Sequence, residues 1–122
     1  MKILGIDDNQ DLIDLCELAL SSDGHEYTGV NTGKEGLQLI RDTQFDIVLL
    51  DLSMPDFSGV DVVDALVEEG IIHKQKVVIF TASSATEKEY VPLLEKGAHS
   101  IVKKPLDVDQ LIECINKVSS EG

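Results

Sequence analysis

The sequence predicts an α/β fold in which a parallel sheet is covered by helices on both of its faces. Five short apolar runs, rich in β-branched residues, alternate with segments whose apolar residues recur at helical spacing. Four of the five runs are almost continuously apolar, which is typical of strands buried on both faces. Because the connections are short, right-handed βαβ crossovers and a doubly wound sheet are expected.

The predicted strands are short and spread evenly along the chain. They cover residues 2–6, 27–30, 46–50, 76–80 and 100–102. The second run is more polar than the other four, so we expect it to form an edge of the sheet.

The predicted helices have apolar stripes, and several have a recognisable first turn. The stripes lie within residues 12–20, 37–40, 60–67 and 111–118. A capping box, in which a Ser or Thr and an acid three residues later bond to each other's backbone, marks a helix start. The candidate pairs, the last two of them looser, are Thr32 with Glu35, Thr86 with Glu89, Ser58 with Asp61, and Asp107 with Gln110.

The fourth predicted helix contains a proline. If Thr86 is its cap, Pro92 removes the hydrogen bond to the Lys88 carbonyl and kinks the helix. Alternatively, the stable helix begins near Pro92 and residues 86–91 form a loose turn. Either arrangement predicts a weak first half of this helix, and we hypothesise that this segment can become ordered or shift.

Length and charge limit the possible functions. The chain has 122 residues, which predicts a single domain over residues 1–122. Its 23 acidic and 10 basic residues give a net charge of -13, which disfavours binding of nucleic acid or anionic lipid by its general surface. The sequence contains neither a signal peptide nor an apolar run of membrane-spanning length, so we expect a soluble, cytoplasmic protein.

Chemically capable side chains follow the predicted strands at their carboxyl ends. Asp7 and Asp8 follow the first strand, Asp51 the third, Thr81 the fourth and Lys104 the fifth. In a doubly wound sheet these ends converge on one pocket. Carboxylates that meet there need a compensating cation, for which Mg²⁺ is suited, and a hydroxyl and an ammonium would serve a bound phosphoryl group. The set predicts phosphoryl capture on one of the carboxylates.

In this order, the motifs resemble those of a response-regulator receiver domain of two-component signalling, over essentially the whole chain. The matching motifs are Asp7-Asp8, the stretch from Asp51 through Met54-Pro55 to Gly59, Thr81-Ala82, and Gly97 seven residues before Lys104-Pro105. The resemblance implies a flavodoxin-like sheet of order 2-1-3-4-5 with five helices, in a three-layer sandwich.

The resemblance also implies residue roles. Asp51 resembles the phosphoacceptor, Thr81 the switch hydroxyl and Lys104 the ammonium that pairs with the phosphoryl group. Lys103 is a rival for that last role, but the spacing from Gly97 and the following proline favour Lys104.

The same resemblance implies a Mg²⁺ site. Asp8 is similar to the direct ligand and Asp7 to the one that acts mainly through water. The Asp51 carboxylate and the backbone carbonyl of Ser53 complete the implied set.

The chain departs from the family pattern at a switch position. Ile101 stands where the family usually has an aromatic residue, three positions before the lysine, so the usual aromatic rotamer switch is not expected. Ser53 and Ser83 stand at the positions where, by the same resemblance, the family tunes dephosphorylation. Because neither serine orients an attacking water well, we expect slow to moderate self-dephosphorylation and no other enzymatic activity.

The predicted function is therefore a phosphorylation-dependent signalling switch. A histidine kinase or phosphotransfer protein would be the phosphodonor, and the helix 4, strand 5 and helix 5 face would change its binding to a downstream protein. The active form would be a monomer or a phosphorylation-dependent dimer. One alternative is a receiver-like binding module that does not depend on phosphorylation. A second is a Mg²⁺-dependent phosphatase of the haloacid dehalogenase type, which would need an Asp in place of Ser53.

Overall fold

A computed structural model describes the chain over residues 1–52, 54, 57–81, 86–103 and 107–120. Its five parallel strands are β1 (Lys2–Ile6), β2 (Glu26–Val30), β3 (Ile47–Asp51), β4 (Lys76–Thr81) and β5 (Ser100–Lys103). They form one sheet in the order β2-β1-β3-β4-β5. The predicted fold class and strand order are confirmed, and β2 forms one edge as expected.

The described residues form five helices, four of them between successive strands and the fifth after β5. They are α1 (Gln10–Ser22), α2 (Gly33–Asp42), α3 (Gly59–Glu68), α4 (Glu87–Lys96) and α5 (Val108–Ser120). A short 3-10 turn at Ile72–Lys74, which the sequence pattern does not predict, precedes β4. Within the described part of the chain, no helix is both long and apolar enough to cross a membrane.

The sheet separates two apolar layers. One layer, against α2, α3 and α4, contains Leu4, Ile6 and Leu50 from the strands. The other, against α1 and α5, contains Ile3 and Leu49. Successive strand residues point to opposite faces, and the inner strands are covered on both, which explains their nearly continuous apolar sequences.

Two of the four predicted helix starts have both hydrogen bonds of the predicted pair, and a third has one of them. At α3, the Ser58 and Asp61 side chains each bond to the other's backbone. The Asp107 and Gln110 side chains do the same before α5, at 2.8 and 3.0 Å. At α2, Thr32 Oγ1 accepts a 3.2 Å bond from the Glu35 N–H.

The predicted capping box at α4 is wrong. Thr86 is the N-cap, but among the described residues its side chain makes no capping hydrogen bond. The Glu89 N–H instead donates to the Thr86 backbone carbonyl, at 2.9 Å. A correct residue spacing does not by itself orient the side chain toward the helix N–H groups.

Helix α4 runs through its proline. It begins at Glu87, so Pro92 lies inside it and the alternative of a helix that starts near Pro92 is wrong. Because proline has no N–H, the Lys88 carbonyl lacks its ordinary helical donor.

Candidate functional site

The carboxyl ends of β1 and β3 bring three acidic side chains together. Ile6 pairs with Leu50 across the two strands, so Asp7 and Asp51 follow at the same level of the sheet. One carboxylate oxygen from each of Asp7, Asp8 and Asp51 lies within 4.8 Å of the other two. The predicted convergence of these three residues is confirmed by the geometry.

Two of these carboxylates are removed from solvent. Asp7 and Asp51 are each 5% exposed, whereas Asp8 is exposed. Buried carboxylates are costly to keep ionised, and like charges at this distance increase that cost. A hard divalent cation offsets both effects, and Mg²⁺ typically takes one or two carboxylates, with water and phosphate oxygens completing its octahedron. This donor set therefore fits Mg²⁺.

Backbone and amide contacts fix the position of Asp7. Its Oδ1 accepts a 2.9 Å hydrogen bond from the Asn9 N–H. Its own N–H donates to the Val30 carbonyl at 3.1 Å, at the end of β2. Asn31 Nδ2 donates to the Asp7 carbonyl at 3.2 Å. Sequence reasoning missed Asn31, although a polar residue directly after a strand at the same sheet edge is the signal that could have found it.

The backbone of Asp51 and Leu52 lies close to the start of α3. A Cβ atom at Gly59 would lie 2.8 Å from Leu52 Cα and would also collide with the Asp51 carbonyl. The Gly59 N–H donates to the Leu52 carbonyl at 3.3 Å. Gly59 therefore permits the close approach between the start of α3 and the backbone of Asp51 and Leu52.

Thr81 lies at the same edge. It is the last residue of β4 and is 3% exposed. Since Asp51 pairs with Phe80, Thr81 is one residue beyond the level of Asp51 on the neighbouring strand. Three other predicted site residues, Ser53, Ser83 and Lys104, lie outside the described residues.

The residues around the predicted switch position join β5 to α4. Ile101 is partly buried and packs against the α2–α4 layer. Lys103, the rival of Lys104, is exposed, and its Nζ lies 5.7 Å from the centroid of the Tyr90 ring on α4. Lys103 thus contacts α4, in the range of a cation–π interaction.

Tyr27 of β2 lies beneath the carboxylates, and sequence reasoning missed it. Its ring lies beside the Cys16 side chain of α1. Burial, followed by the charges of Cys16 and Asp7, raises the pKa of Tyr27 well above the usual phenol range, so the hydroxyl stays protonated. No sequence pattern identifies Tyr27, because its place depends on the register of β1 and β2, which sets Gly5 opposite Gly29 and leaves space for the ring.

A parallel sheet of order 2-1-3-4-5 with side chains converging at its carboxyl edge defines a class of doubly wound proteins that bind ligands there. Within that class, residues 3–116 match the family described as the response regulator receiver domain. The chain belongs to this family, and the predicted resemblance is confirmed.

A curated relative supports this family assignment. The response regulator SaeR of Staphylococcus aureus (strain USA300) is 30% identical over 119 residues, which are 95% of this chain and 49% of that protein. The chain thus spans about half the length of the curated relatives it matches.

Solved structures share the fold. The signal receiver domain of a putative Luxo repressor protein from Vibrio parahaemolyticus has a TM-score of 0.88 at 28% identity, covering 98% of this chain and 89% of that one. The receiver domain of the Francisella response regulator 1452 has a TM-score of 0.85 at 26% identity, covering 98% and 96%.

Proposed function

We propose that the chain is a phosphorylation-dependent signalling switch that accepts a phosphoryl group on Asp51. The observation that carries this proposal is the cluster of three carboxylates within 4.8 Å, two of them buried at the carboxyl edge of the sheet. The phosphodonor would be a histidine kinase or a phosphotransfer protein. We further propose that residues 1–122 act as one receiver domain, in the cytoplasm.

Asp7, Asp8 and Asp51 would hold Mg²⁺, together with the Ser53 carbonyl. When bound, Mg²⁺ neutralises the charge that gathers between carboxylate and phosphoryl oxygens. A carboxylate oxygen of Asp51 forms a bond to phosphorus as the bond between phosphorus and the donor atom breaks, and the donor leaves with that electron pair. The contacts of Asp7 to Asn9, Asn31 and Val30 support this role by fixing one ligand in place.

Thr81 and Lys104 are proposed to bind the phosphoryl group once it is on Asp51. The Thr81 hydroxyl would donate a hydrogen bond to a phosphoryl oxygen, and Lys104 would pair with the same group. This role of Thr81 is supported by its position on β4, one residue beyond the partner of Asp51 on the neighbouring strand. Ser53 and Ser83 would tune dephosphorylation, which we propose is slow, and no activity on other substrates is proposed.

The proposed output is a change in protein binding through α4, β5 and α5. Phosphorylation would shift an existing equilibrium between inactive and active forms, as a monomer or a phosphorylation-dependent dimer. The contact between Lys103 and Tyr90 supports this route, because it links the end of β5 to α4 beside the site. Ile101 would take part by packing rather than by an aromatic rotamer change.

A binding module independent of phosphorylation is the second candidate. The observation that favours it is Ile101, which packs into the apolar layer at the position where an aromatic switch is usual. The haloacid dehalogenase-type phosphatase has no such support, because serine occupies the position of its general acid.

Phosphoryl transfer can be tested directly. The protein is incubated with acetyl phosphate, with and without Mg²⁺, and its intact mass is compared with that of Asp51→Asn. We expect one phosphoryl adduct that requires Mg²⁺ and is absent from the variant. An intact, folded wild-type protein that forms no adduct would contradict the proposal and favour the independent binding module.

A further inference from the structure

We propose that Tyr27 is a positioning residue of the carboxylate site. Its ring closes the site from the α1 side, beneath Asp7 and Asp51, and excludes water that would otherwise hydrate these carboxylates from below. This inference rests on the proposed function in one respect, because it takes Mg²⁺ as the cation that the carboxylates bind.

Two glycines provide the space for the ring. Gly5 of β1 pairs with Gly29 of β2, two residues beyond Tyr27 on the same face. A Cβ atom at Gly5 would lie 2.7 Å from Tyr27 Cζ and would also collide with the hydroxyl oxygen. At Gly29, a Cβ atom would first collide with the Ile13 side chain of α1 and would lie 3.2 Å from Tyr27 Cε1, so Gly29 makes room mainly for Ile13 and only in part for the ring. The ring therefore crosses from the edge strand over β1, where any side chain at Gly5 would displace it.

The ring leaves almost no free volume under the carboxylates. The residual cavity is about 10 Å³ and is lined by Tyr27, Asp7 and Asp51, with apolar walls that include Leu49 and Phe80. A cavity of this size barely accommodates one water molecule. A much smaller side chain at position 27 would enlarge a space that carboxylates line, and such a space fills with water.

Exclusion of this water strengthens cation binding. Charges interact more strongly in a dry, low-dielectric surrounding, and the shell around a metal site controls both solvent access and ligand orientation. Tyr27 suits this position because its ring lies beside Cys16 and Ile13 of α1, in the same pocket as Asp7 and Asp51. The ring, rather than the hydroxyl, is the part that acts on Asp7 and Asp51.

The test compares the Mg²⁺ affinity of the wild-type protein with that of four variants by titration calorimetry. Tyr27→Leu opens the floor of the site, and we expect Mg²⁺ to bind about tenfold more weakly. Gly5→Ala should weaken binding in the same direction because its Cβ displaces the ring. Tyr27→Phe keeps the ring and should retain wild-type affinity. Thr28→Val, an exposed neighbour on the same strand, is the matched control and should also retain it.

Urea unfolding with and without Mg²⁺ separates a positioning role from a structural one. If Tyr27 is purely structural, Tyr27→Leu lowers the urea midpoint equally with and without Mg²⁺. If Tyr27 is a positioning residue, the substitution also reduces the increase in midpoint that Mg²⁺ causes. In the Tyr27→Leu background, Gly5→Ala should cause no further loss of Mg²⁺ affinity, because the ring it displaces is already gone. Additive losses would contradict a shared mechanism.

Wild-type Mg²⁺ affinity in both Tyr27→Leu and Gly5→Ala would overturn the inference. It would leave the proposed function intact if the wild-type protein still forms its Mg²⁺-dependent adduct. Conversely, a wild-type protein that binds Mg²⁺ but takes no phosphoryl group would overturn only the proposed function. No Mg²⁺ binding by the wild-type protein would overturn both.

Discussion

Two regions of the molecule differ in how deeply their residues are buried. One is the carboxylate edge, where Asp7, Asp8 and Asp51 follow β1 and β3, and the other is the α4–β5 flank, formed by α4 and β5. Beneath the carboxylates, β3 lies between two strands, and all five of its residues are buried. Helix α1 beside them has four buried residues. On the flank, β5 is an edge strand without a fully buried residue, and Leu93 is the one buried residue in residues 87–96 of α4, all of which the structure describes.

This contrast in burial implies a difference in local stability. A site that must hold carboxylates and a cation in place gains from the most heavily buried strands. A segment that must change its contacts gains from low local stability, which follows from few buried apolar contacts. The proline inside α4 lowers the stability of that helix further, as does the absence of a capping hydrogen bond from the Thr86 side chain.

The largest expected effect is a loss of unfolding free energy on substitution in β3, below the carboxylates. Leu50 of β3 is fully buried in the α2–α4 layer, so Leu50→Ala should lower the free energy of unfolding by about 3 kcal/mol, through lost burial and the cavity it leaves. Urea unfolding measures this change, with Leu18→Ala on the exposed face of α1 as the control. A loss comparable to that of the control would break the comparison.

An intermediate effect is expected on the flank. Pro92→Ala restores a donor for the Lys88 carbonyl and should stabilise α4 against local opening by about 2 kcal/mol. Hydrogen exchange of the amides in residues 87–96 measures this opening, and α1 serves as the internal reference. Unchanged protection in α4, with Glu95→Ala as the matched exposed control, would show that the proline does not limit the stability of this helix.

The smallest expected effect is the difference in unfolding free energy between removing the N-cap side chain of α3 and removing that of α4. Ser58→Ala removes a complete capping box at α3 and should cost about 1 kcal/mol of unfolding free energy. Thr86→Ala at α4 removes no capping hydrogen bond and should cost much less. Equal losses in urea unfolding would mean that the Thr86 side chain does cap α4 in solution.

Much of the fold could be predicted from the chain because burial imposes periodic patterns. The observed strands begin and end within one residue of the predicted ones, and Asp7, Asp8 and Asp51 meet because parallel strands end at one edge. The order of the strands depended on the family resemblance, since no local pattern encodes which strands are neighbours.

What could not be predicted depends on contacts between distant residues or on side-chain orientation. The place of Tyr27 requires that Gly5 and Gly29 face each other, which is a matter of register between two strands. Thr86 has the right spacing for a capping box, but the Glu89 N–H bonds to its carbonyl instead. Neither outcome can be inferred from spacing alone.

The positions of the two tyrosines have a practical consequence. The sequence has no tryptophan, so Tyr27 and Tyr90 dominate its intrinsic ultraviolet emission. One ring lies below the carboxylates and the other lies against Lys103 on the flank. The protein therefore has a built-in optical reporter in each region, and replacing either tyrosine by phenylalanine isolates the signal of the other.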